Sequence, residues 1–363
     1  MSELKTKKSK RIFYFDALRG LAIICVIVVH CVTLHKSLIY SSWVVPTFSW
    51  VMAEIMYNPM RIGVLLFLML SGALSLGRQC DIRTFLGKRI PRIVYPFVFW
   101  NAIFISLFII LSSFHVIDVV KAFDFNYLAR FVIKALTGDV YGFNPNWFFW
   151  MILGTYFIMP IFNRWLYQAD LREVEYFLVF WLITCLFAFT LNVEFPIVLK
   201  YFTSPIGLVV VGCYLRYTDR KVLNNPYIML LVLLVTSAVS VYLGYLRSSP
   251  DNLSCFNRYS IFNTIIAISV FLIFKNFSKF NIKVHLTRVE SVFRKIVGAL
   301  AKYSYGMYLI HYPIVYLIIN VWNPELPFLA LVFLSILIAI VASVGVLSIL
   351  NRVPYINGII GAK

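Results

Sequence analysis

Acidic residues are scarce in this chain: Asp and Glu number 15 among 363 residues, against 33 Lys and Arg. Charged residues of both signs reach only 13%, about half the share of a soluble domain. Length alone would suggest about two or three soluble domains. No polar stretch is long enough to build one beside the apolar runs, so a single domain is expected. Several catalytic signatures are also missing. The chain has no Walker motif, no HExxH, no GxSxG and no Rossmann glycine pattern. Nucleotide hydrolysis at a site of its own, zinc proteolysis and α/β-hydrolase chemistry lose support. Cys25, Cys31, Cys80, Cys185, Cys213 and Cys255 form no CxxC pair, and several fall within apolar runs. They read as small apolar filler, with no metal site.

What remains is apolar: 61% of the residues, with a mean hydropathy of +0.85. Runs long enough to span a bilayer fall at 12–34, 61–77, 93–113, 147–166, 174–192, 198–216, 227–247, 259–277, 303–320 and 326–350. The expected fold is all-α, a polytopic bundle of about ten transmembrane helices over 12–350. Residues 1–11 and 351–363 would be cytoplasmic tails. The segment Trp43–Tyr57 reads as an interfacial helix or an extension of the second span. With alternating crossings and both ends inside, inner segments hold roughly three times as many Lys and Arg as outer ones. The net charge of +18 therefore reports topology and anionic lipid rather than nucleic acid. The N-terminal KTKKSKR and the run after it resemble a signal peptide. The run contains Asp16 and Arg19 and lacks a small-residue cleavage site, so a retained first helix is expected.

Arg19 and His30 lie inside that first run. Ionisable groups at membrane depth are costly and default to functional candidates. Eleven residues bring both to one helix face, about 16 Å apart along the axis. Asp16 stands three residues before Arg19 and can pair with it. In KRIPRIVYP, Lys88, Arg89 and Arg92 cluster where a cytosolic ligand would meet the membrane. Arginine's planar fork suits phosphate, and Pro91 and Pro96 would fix the entry of the chain. In YSYGMYLIHYPI, Tyr308, His311 and Tyr312 share one face. In NPNWFFWMILGTYFIMPIF, Asn144, Asn146 and Trp147 could line a polar mouth. SGALS (71–75) supplies small residues for close helix packing. Each motif also has a structural reading: a helix-end ion pair with a hydrogen-bonded histidine, plain positive-inside charge, or aromatic belts.

Taken in order, these blocks resemble the acyltransferase-3 family of integral membrane acyltransferases. The likeness rests on FDALRGLAIICVIVVH, with Arg19 and His30; on RIGVLLFLMLSG; on the Arg-x-x-Arg of Arg89 and Arg92; on NWFFWMILGTYFIMPIF; and on YSYGMYLIHYPI. One departure is Asn146, where members often carry an imidazole or another polar residue before the fourth-helix Trp. The resemblance implies transfer of an acyl group, commonly acetyl, to hydroxyls of extracytoplasmic glycans or glycolipids. It implies a multi-pass protein of a bacterial-type plasma membrane, here without an appended SGNH domain. Acyl-CoA, acetyl-CoA foremost, would be the donor substrate, with no permanently bound cofactor. His30 and Arg19 would be catalytic, with Asp16 in support. Lys88, Arg89 and Arg92 would bind the donor, and Asn146, Trp147, Tyr156, Tyr308 and His311 would contact substrate. His30 acting as base and His30 carrying the acyl group both stay open. Expected partners are acyl-CoA, the glycan or glycolipid acceptor, membrane lipids and polysaccharide-assembly proteins. A glycan-intermediate transporter or flippase is the alternative, and a non-catalytic assembly partner the third reading.

Overall fold

The structure, a computed structural model, describes residues 12–36, 48–140, 142–193, 205–247, 256–277, 287–322 and 325–362. The expected tail at 1–11 and the start of the sixth apolar run lie outside these. Among the described residues there are helices and turns but no strand. The helices are α1 (Phe13–Leu34), α2 (Phe48–Tyr57), α3 (Gly63–Ser75), α4 (Ile82–Ser113), α5 (Phe125–Thr137), α6 (Trp147–Gln168), α7 (Leu171–Leu186), α8 (Ile206–Tyr217), α9 (Pro226–Arg247), α10 (Ile261–Lys275), α11 (Thr287–Trp322) and α12 (Phe328–Leu350). The described parts of the apolar runs lie mostly on helices. Among the described residues, six segments are long and apolar enough to cross a membrane: Phe13–Leu34, Phe48–Ser75, Ile82–Ser113, Leu171–Leu191, Pro226–Arg247 and Phe328–Leu350.

Of the two readings of Trp43–Tyr57, the described part fits an extension of the second span, because α2 runs through a 3₁₀ turn at Pro59–Ile62 into α3. Two other expectations change. α4 begins at Ile82, so Pro91 and Pro96 lie within the helix instead of opening it. Pro96 deprives the Arg92 carbonyl of its usual i+4 donor. Next to it, the Tyr305 hydroxyl donates to the Ile93 carbonyl (2.7 Å). α11 extends back to Thr287, into the charged stretch between the eighth and ninth apolar runs. Glu290 and Arg294, one turn apart, form an ion pair there (2.8 Å).

The few carboxylates do local work at helix starts, where backbone N–H groups lack partners. Asp81 accepts from Thr84 N, Asp124 from Tyr127 N, and Asp170 with Glu173 forms a capping box. α5 is strongly amphipathic and ends on Gly138 at φ 89°. It ties back to α6 through a Trp150 Nε1 bond to the Leu136 carbonyl (2.9 Å).

Small residues decide how the bundle closes. A Cβ on Gly72 of α3 would sit 1.8 Å from the Val209 carbonyl oxygen of α8. One on Gly212 of α8 would sit 1.8 Å from the Met69 carbonyl oxygen. Two helix backbones thus lie in direct contact, as small-residue stripes permit in membranes. The C-terminal residues also fold onto the bundle in turns. Ile360 is fully buried, and its carbonyl accepts from Trp100 Nε1 (3.1 Å).

Candidate active site

α1 and α11 lie side by side and run parallel. The Phe13 and Phe293 rings meet near their starts (6.4 Å), Gly20 faces Leu300, and the His30 and His311 rings meet further along (5.4 Å). The face of α1 that carries Arg19 and His30 is therefore the face turned to α11.

Near the start of α1 and midway along α11, a cavity of about 100 Å³ opens between α1, α3, α4, α6 and α11. Arg19, Arg89 and Lys302 line it, together with Tyr156, Tyr305, Tyr308 and Gly361. Arg19 Nη1 stands 3.8 Å from the Asp16 carboxylate, which is itself buried. Placing Asp16 three residues earlier on the helix reduces the cost of holding the guanidinium there. Arg89 leans over two rings, with Cζ 5.5 Å from the Phe85 centroid and 5.9 Å from that of Tyr156. Three cations thus face one small chamber with aromatic walls.

From that chamber an aromatic ladder climbs α11. The Tyr305 and Tyr308 rings stack (6.3 Å, 10°), Tyr308 lies 6.2 Å from His311, and His311 lies 5.4 Å from His30. The ladder follows from spacing: 305, 308 and 311 are successive i+3 neighbours on one helix face. Tyr312 packs edge-on against His30 (5.1 Å). Arg19 reaches the chamber, whereas His30 does not line it. Tyr305 and Tyr308 belong to both chamber and ladder.

The remaining expected residues separate. Lys88 and Arg92 are exposed on α4 and do not line the chamber. Asn146 is buried and its amide is engaged, donating to Asn101 Oδ1 (2.6 Å) and to the Ala135 carbonyl (2.9 Å). The turn Asn144–Asn146 is held from the other side by the Tyr308 hydroxyl, which donates to the Pro145 carbonyl. Trp147, next in sequence, carries the Arg258 guanidinium over its ring at 3.7 Å. Arg258 also lies close enough to act electrostatically on His30 and Tyr308.

Lys302, Tyr305, Arg258 and Gly361 are the site residues that sequence reasoning missed. Tyr305 was within reach, three residues before Tyr308 in the same motif. Lys302 and Arg258 register in the sequence only as loop charges, and nothing marks Gly361.

Among comparisons with known proteins, a family model described as an acyltransferase domain (acyltransferase-3) matches residues 12–348. No curated protein and no solved structure matches the chain.

Proposed function

This chain belongs to the acyltransferase-3 family, and we propose that it moves an acyl group, acetyl foremost, from cytosolic acyl-CoA to a hydroxyl of an extracytoplasmic glycan or glycolipid. The observation that carries this reading is the chamber of Arg19, Arg89 and Lys302 continuing through Tyr308 to His311 and His30. A donor on one side of a bilayer and an acceptor on the other need such a polar track. Ten crossings in a bacterial-type plasma membrane, with both ends cytoplasmic, put the three cations on the donor's side.

Pockets that enclose a whole drug-sized ligand run to about 300–1,000 Å³. A chamber of about 100 Å³ suits the arm of the donor, with the nucleotide outside and the acyl thioester reaching past Tyr308 toward His30. Arg89 and Lys302 hold donor oxygens from within, while Lys88 and Arg92 draw the phosphates to the mouth. Arg19, braced by Asp16, orients the thioester arm, and Tyr156 and Tyr308 wall it. The acceptor enters from the side of Trp147 and Arg258. Asn146 takes part by holding the turn that carries Trp147. His30 removes the hydroxyl proton as the oxygen attacks the thioester carbonyl. The O–C bond forms, the C–S bond breaks, and the proton passes to the coenzyme A sulfur. Acyl-CoA is consumed as a substrate, and no metal or resident cofactor enters the scheme. Lipids and polysaccharide-assembly proteins are its neighbours in the membrane.

The test is purified protein in nanodiscs, given acetyl-CoA and a panel of soluble oligosaccharides. Thiol release and acetylated product are read together by absorbance and mass spectrometry. His30→Ala is expected to bind acetyl-CoA and transfer nothing. Failure of the wild-type protein to bind acetyl-CoA would refute the reading, as would full transfer by His30→Ala.

A further inference from the structure

His311 is only 1% exposed, and its Nε2 has no hydrogen-bond partner among the described residues. Its Nδ1 stands 2.9 Å from the carbonyl oxygen of Met307, one turn back on α11. A carbonyl can only accept, so Nδ1 carries the hydrogen. In the neutral ring the lone pair is therefore on Nε2. The backbone of α11 has fixed this tautomer before any substrate arrives.

The ring beside it is His30, 5.4 Å between centroids and tilted by 44°. A nitrogen-to-nitrogen hydrogen bond of about 2.9 Å plus two ring radii comes to roughly 5 Å. The two imidazoles thus lie within range of one N–H···N bond, made when the rings turn a nitrogen of each toward the other. Tyr312 stands edge-on to both rings (5.1 and 6.3 Å), and Tyr308 covers His311 on another side (6.2 Å). Orphaned buried nitrogens are rare because each costs the desolvation of a polar group. This one lies beside a ring able to donate.

Resting on the acyl-transfer reading, we infer that His311 is a positioning residue whose Nε2 accepts an N–H from His30, which keeps the lone pair of His30 on its other nitrogen for the acceptor hydroxyl. The Met307 carbonyl, His311 and His30 form a line in which each member fixes the hydrogen of the next. This is the orienting logic of a nucleophile–base–orienter triad, with an imidazole in the carboxylate's place. When His30 takes the hydroxyl proton, no proton moves to His311. The bond between the rings shortens on the developing positive charge, and His30 then returns its proton to the departing sulfur. His311 touches neither donor nor acceptor.

The experiment compares His311→Leu and His311→Gln with the wild-type protein in nanodiscs. A glutamine amide oxygen can take the place of Nε2 as acceptor, and a leucine cannot. Thiol release from acetyl-CoA with the oligosaccharide panel gives kcat and KM. Solid-state ¹⁵N spectra of histidine-labelled protein report the tautomer of His30 without any turnover. His311→Leu is expected to lower kcat about 100-fold, with KM for acetyl-CoA unchanged, and His311→Gln to recover to within about tenfold of wild type. The His30 tautomer should be single in wild type and in His311→Gln, and mixed in His311→Leu. Unchanged kcat in a folded His311→Leu, equal loss in both variants, or a His30 tautomer indifferent to residue 311 overturns the inference. If the tautomer follows residue 311 while the wild-type protein transfers nothing, the pairing stands and the acyl-transfer reading falls instead.

Discussion

Arg89→Ala separates the chamber from the charged surface around it. Arg89, Arg92 and Lys88 lie within five residues of each other on α4, and sequence treats them alike. Only Arg89 lines the chamber, half-buried between the Phe85 and Tyr156 rings; Lys88 and Arg92 are exposed. A hydrogen bond to a charged group with restricted solvent is worth about 1.5–3 kcal/mol. That corresponds to roughly a 10- to 150-fold rise in KM for acetyl-CoA when the guanidinium is removed. An exposed cation contributes about 0.2–1 kcal/mol, so Arg92→Ala and Lys88→Ala should raise KM by no more than about fivefold. The two classes also differ in salt response. Losses at Arg92 and Lys88 should vanish by about 0.5 M salt, where the screening length falls well below the ~8 Å of physiological ionic strength. The loss at Arg89 should persist. The assay is thiol release over an acetyl-CoA titration in nanodiscs, at fixed oligosaccharide and at two salt concentrations. Equal effects of Arg89→Ala and Arg92→Ala, or an Arg89 effect that salt removes, would refute the assignment of donor contact from chamber geometry.

Tyr308→Phe strands the Pro145 carbonyl in the turn ahead of Trp147. It should cost about 1–3 kcal/mol, seen as a lower thermal midpoint in detergent, and an unchanged midpoint would show the bond to be idle. Gly72→Val drives a side chain into the Val209 carbonyl and should remove the monodisperse peak on fluorescence-detected size exclusion. Gly154→Ala, with open space at its Cβ, is the matched control and should be neutral.

The helical plan was readable because lipid admits few alternatives. Every backbone polar group must be satisfied within the segment, so long apolar runs become helices. The shared face of Arg19 and His30 was readable for a similar reason, since helix geometry converts an eleven-residue interval into an angle. Hydropathy is silent beyond the lipid. The Thr287–Lys302 portion of α11 is charged, and its Glu290–Arg294 pair supports a helix that no apolar count reveals. Asn146 shows a different limit. Its amide looks available in sequence, but Asn101, 45 residues away, engages it. The chamber draws on residues 19, 89, 302 and 361, whose meeting depends on packing between distant helices.

The interlock of Gly72 with the Val209 backbone limits how this enzyme can breathe. α3 gives the chamber Phe67, Leu70, Ser71 and Leu74, yet the same helix is clamped to α8 main chain against main chain. With no side chain between them to change rotamer, that flank behaves as a fixed jamb. The C-terminal strip is seated the same way, with the Ile360 carbonyl and Gly361 against the Gly306 backbone of α11, so two flanks of the chamber are held main chain to main chain.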